Sequence, residues 1–229
     1  YGPSLPLMVD EKTTPQIIHN KLIPIEKYNM KLMSFGFLNQ GDSPAIWRGP
    51  MVAKLTNQFF DNVDWGELDY LVVDMPPGTG DAHLTLTQKV PLTGAVIVTT
   101  PQDIALLDAK KGLQMFNKVD TPILGIVENM SYYACPHCGE RSEIFGHGGG
   151  ERMASRYNVP YLGAIPLNVR IRENGDEGRP IVHADPENPV SASFREVASK
   201  VATRISKINI GEGTAEKPDS TAFIPLKMG

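Results

Sequence analysis

The chain has 229 residues and a formal net charge of -4 at pH 7, with a sequence pI of about 5.8. This length allows one α/β domain with a buried core, and the acidic balance provides no basic face for a phosphate backbone, so nucleic acid is not an expected partner. No apolar run approaches the roughly 20 residues that cross a bilayer, so we expect no membrane span.

Five short apolar runs predict the strands of a mostly parallel sheet. They alternate with helical patterns, which is typical of βαβ units with helices on both faces of the sheet. The runs are residues 32–37, 70–74, 95–99, 123–127 and 161–165. The sequence therefore predicts a fold of the α/β class.

Apolar side chains at helical spacing predict three helices that pack on this sheet. Each stripe is expected to face the core rather than to bind a cofactor. The stripes are Met51, Val52, Leu55, Phe59 and Phe60; Ile104, Leu107, Leu113 and Phe116; and Phe194, Val197, Ala198, Val201 and Ile205.

Residues 131–150 interrupt this alternation with an excursion that contains cysteines and glycines, and we expect a helix to begin near Gly149. Insertions of this kind commonly carry function. Residues 208–229 are polar with scattered glycine and proline. We therefore expect one domain over residues 1–207, followed by a mobile tail.

The segment Asp-Met-Pro-Pro-Gly-Thr-Gly-Asp at residues 74–81 carries the clearest functional signal. Asp74 follows an apolar run, and glycines come just beyond it. A nucleotide-dependent switch keeps its magnesium-side Asp and its phosphate-sensing amides at such a place. A rigid turn is the simpler alternative, but the strand-end Asp and the Gly-Asp pair after the prolines favour the switch.

The ends of the predicted strands should share one rim, where ligands of parallel α/β sheets collect. Asp74, Thr99, Asn129 and Pro166 each stand at or just beyond such an end. A phosphate cradle of the form G-x-x-x-x-G-K-S/T supplies amides and a Lys to the phosphates, and no such string occurs in the sequence. The glycine cluster at 146–150 lacks the Lys-Ser/Thr pair and does not replace it.

Cys135 and Cys138 are the only cysteines and are separated by two residues. This spacing indicates metal or redox chemistry in a reducing compartment, with the cytosol as the default and an organelle matrix as the alternative. Three sites fit it: zinc completed by His137 or His147 in one chain, a dithiol redox pair, or an iron-sulfur cluster. Since a cluster takes four ligands, a symmetric dimer would supply four thiolates.

Six motifs together resemble those of one known family. They are Tyr-Gly-Pro-Ser at 1–4, Trp-Arg-Gly-Pro at 47–50, the segment 74–81, Thr-Pro-Gln-Asp at 100–103, Glu-Asn-Met at 128–130 and Cys-Pro-His-Cys at 135–138. This set is similar to the Mrp/ApbC iron-sulfur cluster carrier ATPases, which are MinD/NifH-like P-loop NTPases. The resemblance covers roughly residues 1–207.

The resemblance implies a nucleotide site. Asp74 would orient a magnesium-bound water, and Gly78 would offer its amide near the γ-phosphate of ATP. Asn129 would hydrogen-bond the adenine, and the Pro166 loop would close beside the base. The family's P-loop precedes the segment that begins here at Tyr1, so the resemblance implies that the N-terminal strand and P-loop are absent from this chain, while the intact protein binds and hydrolyses ATP with Mg²⁺.

The resemblance also implies that Cys135 and Cys138 hold a [4Fe-4S] cluster at a homodimer interface and pass it to apo iron-sulfur proteins. The compartment would be the cytoplasm or, as in mitochondrial members, the matrix. Two other functions stay open. One is a MinD-type positioning protein with a structural zinc knuckle, although residues 208–229 lack a basic amphipathic helix for a membrane. The other is a purely structural module, suggested by the missing cradle.

Overall fold

The computed structural model describes residues 4–38, 57–75, 83, 86–87, 90–135 and 137–211. The chain divides into two compact units. The first comprises Tyr1–Pro91 with Asn168–Ser191, and the second comprises Leu92–Leu167 with Ala192–Gly229. Part of the first predicted helix (Met51, Val52 and Leu55) lies outside the described residues.

Helices and strands are numbered along the described part of the chain. The helices are α1 (Leu5–Met8), α2 (Phe35–Leu38), α3 (Asp103–Lys118), α4 (Gly149–Arg156), α5 (Val169–Asp176), α6 (Ile181–Ala184) and α7 (Pro189–Asn209). The strands are β1 (Ile17–Ile18), β2 (Lys21–Leu22), β3 (Ile25–Lys27), β4 (Met30–Leu32), β5 (Ala95–Thr99), β6 (Ile123–Glu128), β7 (Tyr133–Ala134), β8 (Arg141–Ser142) and β9 (Tyr161–Ala164). Residues 57–61 are also helical.

The first unit contains two short antiparallel hairpins, β1–β2 and β3–β4. Each hairpin turns through two residues with positive φ, at His19-Asn20 (50° and 62°) and at Tyr28-Asn29 (52° and 59°). Two positive φ values in succession define the type I′ turn, whose twist matches that of the flanking strands. Asparagine tolerates this conformation better than most residues, so the local sequence suits both turns.

Two strands predicted for this unit are wrong. Of residues 32–37, only Leu32 belongs to a strand, whereas Phe35 and Phe37 lie buried in α2. A short apolar run fits a buried helical turn as well as a strand. Residues 70–74 have irregular conformation, and Val72 is 89% exposed. No strand within the described ranges pairs with this segment, and without such pairing its backbone groups cannot form a ladder.

The second unit is built on a parallel three-stranded sheet in the order β5-β6-β9. Helix α3 connects β5 to β6, and α4 precedes β9, so the chain forms two successive βαβ units. All six residues of β6 are buried, as expected of a parallel strand covered on both faces. The three strands predicted at 95–99, 123–127 and 161–165 are therefore confirmed, and so is the α/β class.

Helix α3 covers this sheet with only half of its predicted stripe. Leu113 and Phe116 are buried, at 0% and 8% exposure, but Ile104 and Leu107 are 75% and 55% exposed. Nine positions separate Ile104 from Leu113 (113 − 104), which is two and a half turns of about 3.6 residues each and places them on opposite sides. The core prediction is therefore wrong for Ile104 and Leu107.

The core of the second unit lies between the sheet and helices α3 and α4. Its buried members are Ala95, Ile97, Ala109, Leu113, Met115, Phe116, Ile123, Ile126, Met153 and Ala154. The third predicted stripe falls in α7, where Ala198 is exposed and the other four members are half-buried. The helix ends at Asn209, and residues 212–229 lie outside the described part. Among the helices described, none is both long and apolar enough to cross a membrane.

Candidate functional site

Three strand ends of the second unit meet at one rim of the parallel sheet. The backbone N–H of Asn129 donates to the Thr99 carbonyl at 2.7 Å, which ties the ends of β6 and β5 together. On the other side, the N–H of Ile165 donates to the Glu128 carbonyl at 2.8 Å, and the N–H of Ser131 donates to the Ile165 carbonyl at 3.0 Å. The residues that follow β5, β6 and β9 are therefore neighbours, as the sequence predicts.

Asn129 and Pro166 stand on this rim. Asn129 is half-buried, and its Oδ1 accepts a hydrogen bond from the N–H of Met130 at 2.9 Å. This contact shapes a turn in which Met130 has a φ of 51°. Pro166 is buried directly after Ile165. The rim is a suitable place for a ligand, while adenine binding by these two residues stays a prediction.

Asp74 belongs to the first unit, where it is exposed and lies in the irregular segment 70–74. It contributes to the wall of a cavity of about 970 Å³ that is lined mainly by aromatic and apolar side chains, including Phe35, Phe59, Trp65 and Tyr70. Gly78 lies outside the described residues. The expected roles of Asp74 and Gly78 in nucleotide chemistry therefore stay predictions.

The two cysteines lie at the tip of the β7–β8 hairpin. This hairpin is part of residues 131–148, here called the cysteine loop, which leads from the end of β6 to the start of α4. The strands pair through Tyr133 with Ser142 and Ala134 with Arg141. At the tip, the N–H of Cys135 donates to the Glu140 carbonyl and the N–H of Gly139 donates to the Cys135 carbonyl, both at 2.9 Å.

Backbone N–H groups lower the pKa of the Cys135 thiol below its ordinary value. The largest contribution is the hydrogen bond from the N–H of Cys138, followed by that from the N–H of His137 and by the thiol of Cys138, while burial acts in the opposite direction. Hydrogen bonds of this kind stabilise the thiolate. Cys135 is half-buried, Cys138 is exposed, and neither forms a disulfide. The tip thus presents two thiols suited to a soft metal centre.

A family model described as the NUBPL iron-transfer P-loop NTPase matches residues 1–202. The chain belongs to this family. The predicted resemblance to iron-sulfur cluster carrier ATPases is thereby confirmed, and the cysteine hairpin and the strand-end rim are features of a NUBPL-family chain.

Relatives of this NUBPL-family chain carry names that refer to iron-sulfur clusters. The iron-sulfur cluster transfer protein NUBPL of Dictyostelium discoideum is 47% identical over 220 residues, which cover 95% of this chain and 68% of that protein. The iron-sulfur cluster carrier protein of Haemophilus influenzae is 52% identical over 209 residues, which cover 90% of this chain and 56% of that protein. The chain thus spans little more than half the length of the Haemophilus carrier.

A solved structure supports the fold of this family member. The nucleotide-binding protein of Archaeoglobus fulgidus, determined in complex with ADP and with cobalt found in it, has a TM-score of 0.69 and 35% sequence identity. The match covers 84% of this chain and 75% of that one.

The two thiols of this NUBPL-family chain are fewer than the four ligands that a zinc or iron-sulfur site takes. Within the described ranges, no three His, Cys, Asp or Glu side chains lie close enough together to hold a metal ion. His147 is engaged elsewhere, because its Nδ1 lies 2.8 Å from Oε1 of Glu143. The alternative in which His137 or His147 completes a zinc site in one chain is therefore not met within those ranges.

The residues of this chain supply only part of the nucleotide site expected of a P-loop NTPase. The phosphate cradle that a P-loop NTPase requires does not occur in the sequence. The residues present therefore do not form a whole nucleotide site, and no step of ATP hydrolysis follows from them.

Glu128 is a site residue that the sequence interpretation missed. It occurs in the Glu-Asn-Met motif, yet no role was predicted for its side chain, which is 1% exposed at the end of β6. The available signal is an acidic residue that ends an otherwise apolar run, because a buried charge requires partners. The residues that satisfy it lie at both bases of the cysteine loop.

Proposed function

We propose that this protein carries an iron-sulfur cluster and transfers it to apo-proteins. The observation that carries the proposal is the structure of the hairpin tip. Backbone N–H groups there favour the thiolate form of Cys135, and the side chain of Cys138 is exposed nearby. A cargo that must be handed over needs ligands that a recipient can reach. The names of the relatives from Dictyostelium and Haemophilus support the same function.

The cargo is a [4Fe-4S] cluster held between two copies of the chain. Each copy offers Cys135 and Cys138, and a cluster of this type takes four thiolates. Two cysteine loops related by a two-fold axis supply four. The proposal therefore includes a homodimer, with the cluster at the interface and apo iron-sulfur proteins as its recipients.

ATP and Mg²⁺ act in the intact protein. In this proposal Asp74 and Gly78 serve the phosphate side of the nucleotide, and Asn129 and Pro166 serve the adenine. The family description and the ADP complex of the Archaeoglobus protein support nucleotide binding. The protein works in a reducing compartment, which is the cytoplasm or, alternatively, the mitochondrial matrix, because cluster binding requires free thiols.

The first test is metal analysis after anaerobic reconstitution. Iron, acid-labile sulfide and zinc are measured per chain, together with the native mass. We expect about four iron and four sulfide per two chains, because four thiolates complete one such cluster. Transfer is then followed as the gain of cluster by an apo-protein after mixing.

Single Cys135→Ala and Cys138→Ala variants should each lose the cluster and the cluster-dependent dimer. Ser142→Ala is the matched control, because it changes an exposed residue of the same hairpin without removing a thiol. Stoichiometric zinc on a monomer, unaffected by reconstitution, would contradict the carrier proposal and support a structural zinc knuckle.

A further inference from the structure

Glu128 is a buried carboxylate that lies beside the cysteine loop. Cluster binding by the two cysteines does not itself require this carboxylate. It is 1% exposed, and the five other residues of β6 are buried as well. Removing a carboxylate from water is costly unless hydrogen bonds replace those of the solvent. The partners of its two oxygens therefore indicate what the residue does.

Each carboxylate oxygen of Glu128 holds one base of the cysteine loop. Oε1 accepts a hydrogen bond from the hydroxyl of Ser131 at 2.5 Å, where the loop begins. Oε2 accepts one from the backbone N–H of Gly150 at 2.6 Å, just after the loop has ended in α4. Both oxygens of the buried side chain thus have a hydrogen-bond partner, one from each base of the loop.

The surroundings leave little freedom at either base. Ser131 is 2% exposed, and its N–H donates to the Ile165 carbonyl at 3.0 Å. A Cβ added at Gly150 would lie 3.1 Å from Cβ of Glu128 and 3.2 Å from its Oε2. Gly150 thus places the backbone of α4 directly against the carboxylate. The hydrogen bond between them connects the end of β6 to the first turn of α4.

We propose that Glu128 is a positioning residue that fixes both bases of the cysteine loop and thereby orients Cys135 and Cys138 for cluster binding. The inference rests on the proposed cluster function. A loop anchored at both bases loses less conformational freedom when its thiols bind a cluster, so the cluster binds more tightly and dissociates more slowly. The effect of Glu128 is indirect, because its side chain contacts Ser131 and Gly150 rather than the cysteines.

Three variants of the full chain test this role. Glu128→Met keeps a side chain of similar length and leaves both donors without an acceptor. Glu128→Gln can still accept from the N–H of Gly150 and can donate to the Ser131 hydroxyl, so it should preserve the connection. Ser131→Ala removes one of the two contacts and is the milder variant if Glu128→Met fails to fold. Glu151→Gln is the matched control, since it removes a carboxylate from the exposed side of the same helix turn.

The first measurement is amide hydrogen exchange, with the amides of Cys135 and Gly139 reporting on the loop and those of β5 serving as the internal reference. We expect loop exchange about tenfold faster in Glu128→Met, a smaller increase in Ser131→Ala and wild-type exchange in Glu128→Gln and Glu151→Gln. Exchange in β5 should change much less than in the loop. An equal increase in both segments would indicate general destabilisation and overturn the inference.

The second measurement is the rate at which a chelator removes iron from the reconstituted protein. Glu128→Met or Ser131→Ala should release iron faster than wild type, and Glu128→Gln should not. Unchanged exchange and iron release in both Glu128→Met and Ser131→Ala would refute the role of Glu128 while leaving the carrier function intact. If the wild type acquires no cluster, the carrier function fails, and the exchange data still decide whether Glu128 anchors the loop.

Discussion

Replacing Gly149 with alanine should destabilise the protein, although alanine favours helices. Gly149 is the first residue of α4, and a Cβ there would lie 2.7 Å from the Pro101 carbonyl oxygen and 2.8 Å from Cδ1 of Leu106. The Leu106 side chain can rotate away, but the Pro101 contact is with backbone. Relief therefore requires α4 to move away from the end of β5.

The expected magnitude follows from two opposing effects. Alanine is about 0.5–1 kcal/mol better than glycine inside a helix, and less at its first residue. Forcing an extra carbon into a packed site costs about 1–3 kcal/mol. The cost of the steric clash exceeds the gain in helix propensity, so Gly149→Ala should lower the free energy of unfolding by roughly 1–2 kcal/mol.

Gly112→Ala is the matched control in the same unit. It lies in the middle of α3, and an added Cβ would meet only Cδ1 of Ile97 at 3.9 Å, an ordinary contact. This variant should therefore raise stability by up to about 1 kcal/mol. Urea unfolding of both variants and the wild type, followed by circular dichroism, measures the two differences. If Gly149→Ala is as stable as Gly112→Ala, the close approach of α4 to Pro101 is refuted.

Two further predictions concern pH. The Cys138→Ser variant keeps the backbone N–H groups that contact Cys135. In this variant the rate of alkylation of Cys135, measured against pH, should have its midpoint below the pKa of an ordinary thiol. A midpoint at or above that pKa would contradict the N–H contacts. Burial first, then the charges of Glu128 and Glu151, raise the pKa of Tyr161 from 10.0 to about 12. The stability linked to its phenol is thus complete below pH 10 and lost as pH rises toward 12, so wild type should weaken relative to Tyr161→Phe in alkaline titrations. Equal alkaline profiles would show that the phenol is not shielded.

The sequence predicts the second unit well because local sequence features identify each of its three parallel strands. The runs in β5, β6 and β9 are continuous and apolar, and each is followed by a helical pattern or a turn signal. Residues 70–74 carry the same pattern, yet they form no strand among the described residues, because a strand also depends on a neighbour that its own sequence does not specify. At 32–37, a short and mostly apolar segment that contains two phenylalanines fits either a strand or a buried helical turn.

The candidate site shows the same division between local and distant information. The spacing of Cys135 and Cys138 is sufficient to predict metal or redox chemistry at one site, because only two residues separate the thiols. The role of Glu128 depends on Gly150, which is 22 positions away, and on a close approach in which an added Cβ at Gly150 would lie 3.1 Å from Cβ of Glu128. No pattern in the sequence reports such a contact.

The position of the cysteine loop within a βαβ crossover has a structural consequence. The connection from β6 to α4 only has to bring the chain from the end of the strand to the start of the helix. Its length is therefore set by neither the register of the sheet nor the core. Each doubling of a flexible loop costs only about 0.6 kcal/mol of closure entropy. A hairpin inserted between β6 and α4 can therefore bring cysteines to the edge of a parallel sheet without repacking the residues beneath it.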